Sequence, residues 1–388
     1  MRVLHTSDWH VGKALRGRSR AAEHEAVLAE IAGIARRDGV DLAIVAGDLF
    51  DSATPTPEAE RIVYRGLLDL ADGGRPVVVV AGNHDSAQRL GAVAPLSEAN
   101  GIHVVSAVRP PGDGGVIEIA AGGERAQVAL LPFPSQRYVV TADLLISGDA
   151  ADAHAEYADR VVRILGALTE GFRADTVNLV VAHLMVMGGT MGGGERAAHT
   201  VFDYWVPATA FPAAAQYVAL GHLHRRQRLA GPAPLHYCGS PLQLDFGETA
   251  NEPSVNVVDV HPGVPADVHP VPLTAGRRLH TLRGTLDDVL GGAAGSADDH
   301  LRVILDEPAR AGLADEVRSR LPNAVEVVLD PARAAEARPA SDPDRLGRTP
   351  HDLVTEYLGE HDAHDDRVVA LFDELVEELT VDAGGVAR

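Results

Sequence analysis

The run Asp41-Leu42-Ala43-Ile44-Val45-Ala46-Gly47-Asp48-Leu49-Phe50-Asp51 passes from wholly apolar to carboxylate-bearing across a single glycine. A strand with no polar alternation is covered on both faces, so this run predicts a buried parallel strand whose abrupt end marks a site. Four further runs behave alike. Arg2-Val3-Leu4-His5-Thr6 enters Ser7-Asp8-Trp9-His10, and Val77-Val78-Val79-Val80-Ala81 enters Gly82-Asn83-His84-Asp85. The run 177–182 ends in His183, and Tyr217-Val218-Ala219-Leu220 enters Gly221-His222-Leu223-His224. Parallel sheets bind ligands beyond the carboxyl ends of their strands, where all of these polar residues fall.

Between the first three runs lie two helical patterns, about 21–38 and 58–70, so the start of the chain is a βαβ series and its sheet is parallel. Strands near 102–105, 116–120, 126–131, 235–239 and 254–260, with a helix near 155–170, extend this α/β pattern. The proline-spaced stretch 261–276 predicts an edge strand or a linker. Strands at 279–284, 301–305 and 325–329 with a helix near 309–320 then predict a small α+β unit. After a second proline-bearing stretch, 331–350, two helices are expected over 351–359 and 366–380. The latter carries an apolar stripe of Val368, Val369, Phe372, Leu375, Val376 and Leu379 that predicts packing on a partner. The resulting division is 1–275, 276–340 and 341–388.

Residues two apart in an extended chain point the same way, so Asp8 with His10 and His222 with His224 form two-residue pincers. The expected arrangement gives one divalent ion Asp8, His10, Asp48 and His224 and a second Asp48, Asn83, His183 and His222, with Asp48 bridging. Such a mixed oxygen and imidazole set suits manganese, iron or zinc better than calcium or magnesium. His84, next to Asn83, is expected to protonate or stabilise a leaving alkoxide, with Asp85 orienting it. A lone Asp-x-His pair is more often a turn, and a lone His183 more often a core residue; it is their joint occurrence that points to metal.

The charge balance, 55 acidic against 34 basic residues for a net of −21, argues against a general nucleic-acid-coating protein. A polyanionic substrate then needs local positive charge. Two divalent ions bring about four charges, of which Asp8 and Asp48 cancel about two, leaving a pocket fit for a phosphodiester. Arginines at 16–20 and 225–228 are candidates to touch a nucleic-acid backbone, although loop arginines are usually just solvated. The glycine- and methionine-rich loop from Met187 to Gly194 gives no reading beyond mobility. The one cysteine, Cys238, excludes intrachain disulfides and thiolate clusters, and the N-terminus shows no apolar signal core, so the expectation is a cytoplasmic protein.

Asp8-Trp9-His10, Gly47-Asp48-Leu49-Phe50-Asp51, Gly82-Asn83-His84-Asp85, Ala182-His183 and Gly221-His222-Leu223-His224 together resemble the signature series of calcineurin-like metallophosphoesterases. Within them, His5-Thr6-Ser7-Asp8-Trp9-His10 and Tyr237-Cys238-Gly239-Ser240-Pro241-Leu242 are similar to the bacterial nuclease subunits of double-strand-break repair. Leu279-His280-Thr281-Leu282-Arg283-Gly284 resembles the start of their capping domain. The resemblance implies a layered α/β/β/α sandwich with a small α+β capping domain and C-terminal helices. It also implies a manganese-dependent nuclease for DNA ends and hairpins, with 3′ to 5′ exonuclease and single-strand endonuclease activity in repair and recombination. Its partner would be an ATPase with a long coiled coil that receives the terminal helices, and a homodimer within a heterotetramer is expected. The pattern departs at Asp51, where archaeal relatives place a histidine. Two other readings compete: a small-molecule or cyclic-nucleotide phosphodiesterase on the same scaffold, and a binding scaffold whose ATPase partner does the work.

Overall fold

The computed structural model describes residues 1–135, 157–195, 205–333, 349–360 and 365–373. Two six-stranded sheets face one another. The first runs β12 (Val264–Pro272), β11 (Ser254–His261), β1 (Arg2–Thr6), β2 (Leu42–Val45), β3 (Val77–Val80), β4 (Ile102–Val105), with the last four parallel and the first two antiparallel. The second runs β9 (Gln227–Leu229), β10 (Leu235–Tyr237), β8 (Tyr217–Gly221), β7 (Val177–His183), β6 (Glu124–Leu131), β5 (Val116–Ala121), antiparallel only at its two edges.

The unbroken apolar runs follow from having both faces covered. In β2, Leu42 and Ile44 enter the layer between the sheets with Val128, Leu179 and Ala219, while Ala43 and Val45 meet the helices outside. Helices α1 (Ala21–Arg37) and α2 (Pro57–Leu70) cover that outer face through Val27, Ile31, Val63 and Leu67. On the far side, α4 (Tyr157–Thr169) lays Val161, Ile164 and Leu165 on Val180 and Val218. The result is the expected α/β/β/α sandwich. The stretch Thr54-Pro55-Thr56-Pro57 leads into α2: Thr56 accepts from the Ala59 amide at 3.2 Å and Pro57 opens the helix. The proline-spaced stretch resolves as the edge strand β12, where a missing amide costs no ladder bond.

A third sheet of three parallel strands, β13 (Leu279–Gly284), β14 (His300–Leu305) and β15 (Ala324–Leu329), has its own core of Leu282, Val289, Leu301, Val303 and Val317. Helices α5 (Leu286–Gly292) and α6 (Leu313–Arg320) connect its strands. It is tied to the sandwich by Arg16, which meets Glu326 at 2.9 Å and Asp245 at 3.1 Å, and by Arg18, which donates to the Pro322 carbonyl at 3.0 Å. Glu23 on α1 accepts from both Arg20, at 2.7 Å, and His300, at 2.8 Å. Arg16, Arg18 and Arg20, candidate backbone contacts in the sequence, are therefore struts within the protein. Arg225, Arg226 and Arg228 form no ion pair among the described residues.

Near the C-terminus, α7 (Pro350–Glu360) is linked to a helical stretch over 366–373 by His351 and Asp373, 2.7 Å apart. Val369 is buried there, whereas Leu353, Tyr357, Val368 and Leu371 are exposed. Leu375, Val376 and Leu379 of the expected stripe lie outside the described residues. No described helix is long and apolar enough to cross a membrane.

Candidate metal centre

Beyond the ends of β1 and β2 the two chains stay zipped. The Asp8 amide donates to the Gly47 carbonyl, His10 to Asp48 and Val11 to Leu49, each at 3.0 Å, which sets Asp8, His10 and Asp48 side by side. The backbone bends sharply to do this. Asp8, His10, Asp48 and His222 have φ of 54°, 46°, 52° and 107°, four of the five positive values among described non-glycine residues. Side chains resist that region, so the surrounding ladder must enforce it, and such strain concentrates at functional sites. Two motif glycines are also explained by close approach. A Cβ on Gly47 would lie 2.8 Å from Cγ of His183, and one on Gly82 would lie 2.7 Å from Cγ of Asp48.

Asp48 is 2 % exposed and sits at the middle of the donors. Its Oδ1 accepts from the His84 amide at 2.8 Å. Its Oδ2 lies 3.5 Å from Nε2 of His10 and 3.4 Å from Nε2 of His183. On one side His10 Nε2 faces His224 Nε2 at 3.1 Å; on the other, Asn83 Oδ1 lies 3.0 Å from His183 Nε2 and 2.7 Å from His222 Nδ1. Asp8, His10 and His224 place ligand atoms within 4.8 Å of one another, as do Asp48, His183 and His222. The Asp8 carboxylate also accepts from the His222 amide at 3.0 Å, joining the two sets.

These spacings fit divalent ions. Two donors each about 2.1 Å from a common ion sit about 3–3.5 Å apart, the separation found here. His224 gives the chemical reason: Nδ1 meets Glu248 at 2.6 Å, so its proton is committed there and the lone pair of Nε2 is turned toward His10. His183 is committed likewise, Nδ1 donating to the Ala46 carbonyl at 2.7 Å. Ring nitrogens aimed at one another call for positive charge between them, a proton when no ion is bound and a metal ion when one is. The two sheets supply one cluster, with Asp8, His10, Asp48 and Asn83 coming from the first and His183, His222 and His224 from the second.

Electrostatics point the same way. Burial opposes a charged His183, yet Asp48 and Asp8 prevail and lift it to about 9; burial and then Glu248 and Asp8 act likewise on His224, also to about 9. His10 is dominated by burial and falls to about 4. Burial would raise Asp48, but His183 and His10 hold it well below the usual carboxylate range. Buried carboxylates set this densely require positive charge among them.

His84 offers a ring nitrogen within 4.8 Å of ligand atoms of His10 and Asp48, and its Nδ1 meets the Asp51 carbonyl at 2.9 Å. Asp85 does not orient it. Both Asp85 oxygens are taken by backbone amides, Oδ2 by Gly82 at 2.8 Å and Leu49 at 3.3 Å and Oδ1 by Phe50 at 3.0 Å. The expectation of an Asp85 pair with His84 is thus corrected: Asp85 buckles the Asp48 loop to the Asn83 loop, and the acceptor behind His84 is a main-chain carbonyl. His5 meets the Tyr217 hydroxyl at 2.8 Å between the sheets.

Three residues escaped the sequence reading. Glu248 lies in a single turn after the last ligand motif, with nothing local to mark it. Glu195 takes the amides of Gly192, Gly193 and His224 at 2.6, 2.8 and 3.0 Å, so the loop from Met187 to Gly194 folds back onto His224. Phe133 stacks on His222 at 5.9 Å. Its position just past an apolar run, in Pro132-Phe133-Pro134, was the one available signal.

Comparison with known proteins agrees with the geometry. Residues 1–127 match the calcineurin-like phosphoesterase family. The SbcD subunit of the SbcCD nuclease of Bacillus subtilis is 39% identical over 283 residues, covering 72% of this chain and 71% of that one. The protein of the same name from Rhodobacter capsulatus is 37% identical over 287 residues, covering 70% and 69%. A dimetal phosphatase structure from Danio rerio aligns at 13% identity with a TM-score of 0.40 over 71% of this chain and 99% of that one, too loose a likeness to argue from. The strand-end motifs, the paired donor sets and these relatives converge: the chain belongs to the SbcD family of calcineurin-like phosphoesterases, metal-dependent hydrolases of phosphodiester bonds.

Proposed function

We propose that this chain is the nuclease subunit of an SbcCD-type complex and cuts DNA with two manganese ions, as a 3′ to 5′ exonuclease and as an endonuclease on single strands and hairpins. One ion would be held by Asp8, His10, Asp48 and His224 and the other by Asp48, Asn83, His183 and His222. The observation that carries this is the Asp48 Oδ2 atom, 3.5 Å and 3.4 Å from imidazoles of the two sets. When bound, such ions supply Lewis acidity and an activated water at neutral pH. The protein's own part is to fix the donors and to hold a proton. His84 keeps its ring in place through the Asp51 carbonyl and presents its other nitrogen as the donor for the leaving oxygen.

In this reading residues 1–275 are the nuclease domain, 276–340 the capping domain and 341–388 a linker and docking segment. The exposed Leu353, Tyr357, Val368 and Leu371 support docking of that segment on an SbcC-type coiled-coil ATPase. Arg225, Arg226 and Arg228 directly follow His224 and support a DNA-backbone contact beside the centre. A homodimer within a heterotetramer and a cytoplasmic location complete the proposal.

The test is to offer the manganese-loaded protein end-labelled hairpin DNA beside bis-p-nitrophenyl phosphate. Both are expected to be cut, and His84→Gln keeps bound manganese while losing about 10²–10⁴-fold in turnover. Turnover by the variant at the parent rate removes the role given to His84. Hydrolysis of the small ester with DNA left intact, even with the ATPase partner and ATP, makes the protein a small-ester phosphodiesterase instead.

A further inference from the structure

The chain contains 34 lysines and arginines, and only one of them is a lysine, Lys13. It stands shortly after the candidate ligand His10, in the turn that leaves the first strand-end motif. The backbone fixes that turn. The Lys13 amide donates to the His10 carbonyl at 3.0 Å, Gly12 supplies the positive φ of 101° between them, and the Asp51 amide donates to the Val11 carbonyl at 3.2 Å. The side chain then comes back to the centre, with Nζ 3.4 Å from Oδ1 of Asp51. The same oxygen lies 3.5 Å from Nδ1 of His10, and the Asp51 carbonyl meets Nδ1 of His84 at 2.9 Å. One residue thus ties the lone lysine to a candidate metal ligand and to the proposed proton donor.

Stability does not account for it. An ion pair whose side chains are 32% and 24% exposed adds little to the fold, and a chain that writes every other such cation as arginine could write arginine here. The two cations differ in how they let go. A guanidinium can grip a carboxylate through two parallel bonds, whereas an ammonium is a point charge on a flexible stem that can pass from one anion to another. Its place also says which anion. Lys13 approaches from the Nδ1 side of His10, while Nε2 of the same ring faces Asp48 at 3.5 Å and His224 at 3.1 Å. The ammonium therefore stands outside the donor sets, next to the place of a scissile phosphate and not on it.

We propose, on the nuclease reading above, that Lys13 is a substrate-binding residue that takes a phosphate adjoining the scissile one. As a DNA strand enters, the ammonium leaves Asp51 for a non-bridging oxygen of that neighbouring phosphate, and Asp51 stays with His10. The contact exists only on a polynucleotide, so it makes this acidic chain favour DNA over an isolated phosphodiester.

The test compares Lys13→Met and Lys13→Arg with the parent, each the full chain loaded with manganese, on single-stranded DNA and on bis-p-nitrophenyl phosphate. Lys13→Met should raise the KM for DNA about 10-fold more than the KM for the small ester. It should also flatten the slope of log KM for DNA against log salt by about 0.7, the share of one strand phosphate. Lys13→Arg, which keeps the charge, should restore that slope. A methylphosphonate placed in turn at each phosphate flanking the cut locates the contact. At one position the uncharged linkage should cost the parent about 10-fold and Lys13→Met almost nothing. Equal losses on both substrates, an unchanged salt slope, or a scan in which parent and variant fall alike at every position would overturn the inference. A parent that cuts the small ester and leaves DNA whole sinks the nuclease reading instead.

Discussion

Removing the Asp85 carboxylate separates a support from a catalyst. Oδ2 of Asp85 holds the amides of Gly82 and Leu49 and Oδ1 holds that of Phe50, at 2.8, 3.3 and 3.0 Å. In Asp85→Asn the remaining carbonyl can keep the Oδ2 pair while the new amide faces the Phe50 N–H donor to donor. One buried amide is then abandoned, a cost of about 1–3 kcal/mol. Asp85→Ala abandons all three, two of them firmly bound, so about 3–5 kcal/mol is expected after allowing for water at a half-buried site. Because these amides belong to the loops bearing Asp48 and Asn83, manganese affinity should fall with stability, by about 10–100-fold. The assays are urea unfolding, manganese titration and bis-p-nitrophenyl phosphate turnover at saturating metal, where Asp85→Asn should come close to the parent. An Asp85→Asn protein with parental stability and metal affinity but turnover reduced more than about 100-fold would refute this and put the carboxylate back to work on His84.

Two further outcomes are expected. Burial would raise Glu23, but His300 and Arg20 hold it below its ordinary value of 4.5, so its contribution to stability is present above that value and is lost as pH falls. The stability gap between the parent and Glu23→Gln should narrow from about pH 7 to about pH 3, and a gap independent of pH would refute the role of Glu23 as the clasp of the third sheet. Deleting residues 351–388 should abolish co-purification with the ATPase partner while sparing small-ester hydrolysis, and unchanged co-purification would end the docking proposal.

The strand ends were legible because two constraints coincide there. A buried parallel strand must be apolar throughout, and the residues after it must be of ligand type, so Asp48, Asn83, His183 and His222 announce themselves by contrast. What escaped was whatever depends on partners distant in the chain. Glu248 becomes a support for His224 only when β8 and the turn near 246 are brought together. Arg16 and Arg18 read as loop cations until Glu326 and Pro322 arrive from the third sheet. Helix α3 (Ala87–Glu98) was hidden for a local reason: it contains Gly91 and Pro95 and buries only Leu90, so it has no apolar stripe. Helix α5 was masked by the glycines at its end. Asp85 was placed with His84 by adjacency, which says nothing about which way a side chain turns in a loop.

That the candidate ligands come from both sheets reaches beyond hydrolysis. A cation seated among them acts as a rivet through the seam of the sandwich, and the two halves cannot slide apart without first surrendering it. Loading and mechanical integrity then become a single equilibrium: each tenfold rise in free metal above saturation deepens the native well by about 1.4 kcal/mol for each ion bound, and a chelator works on the architecture as much as on the chemistry.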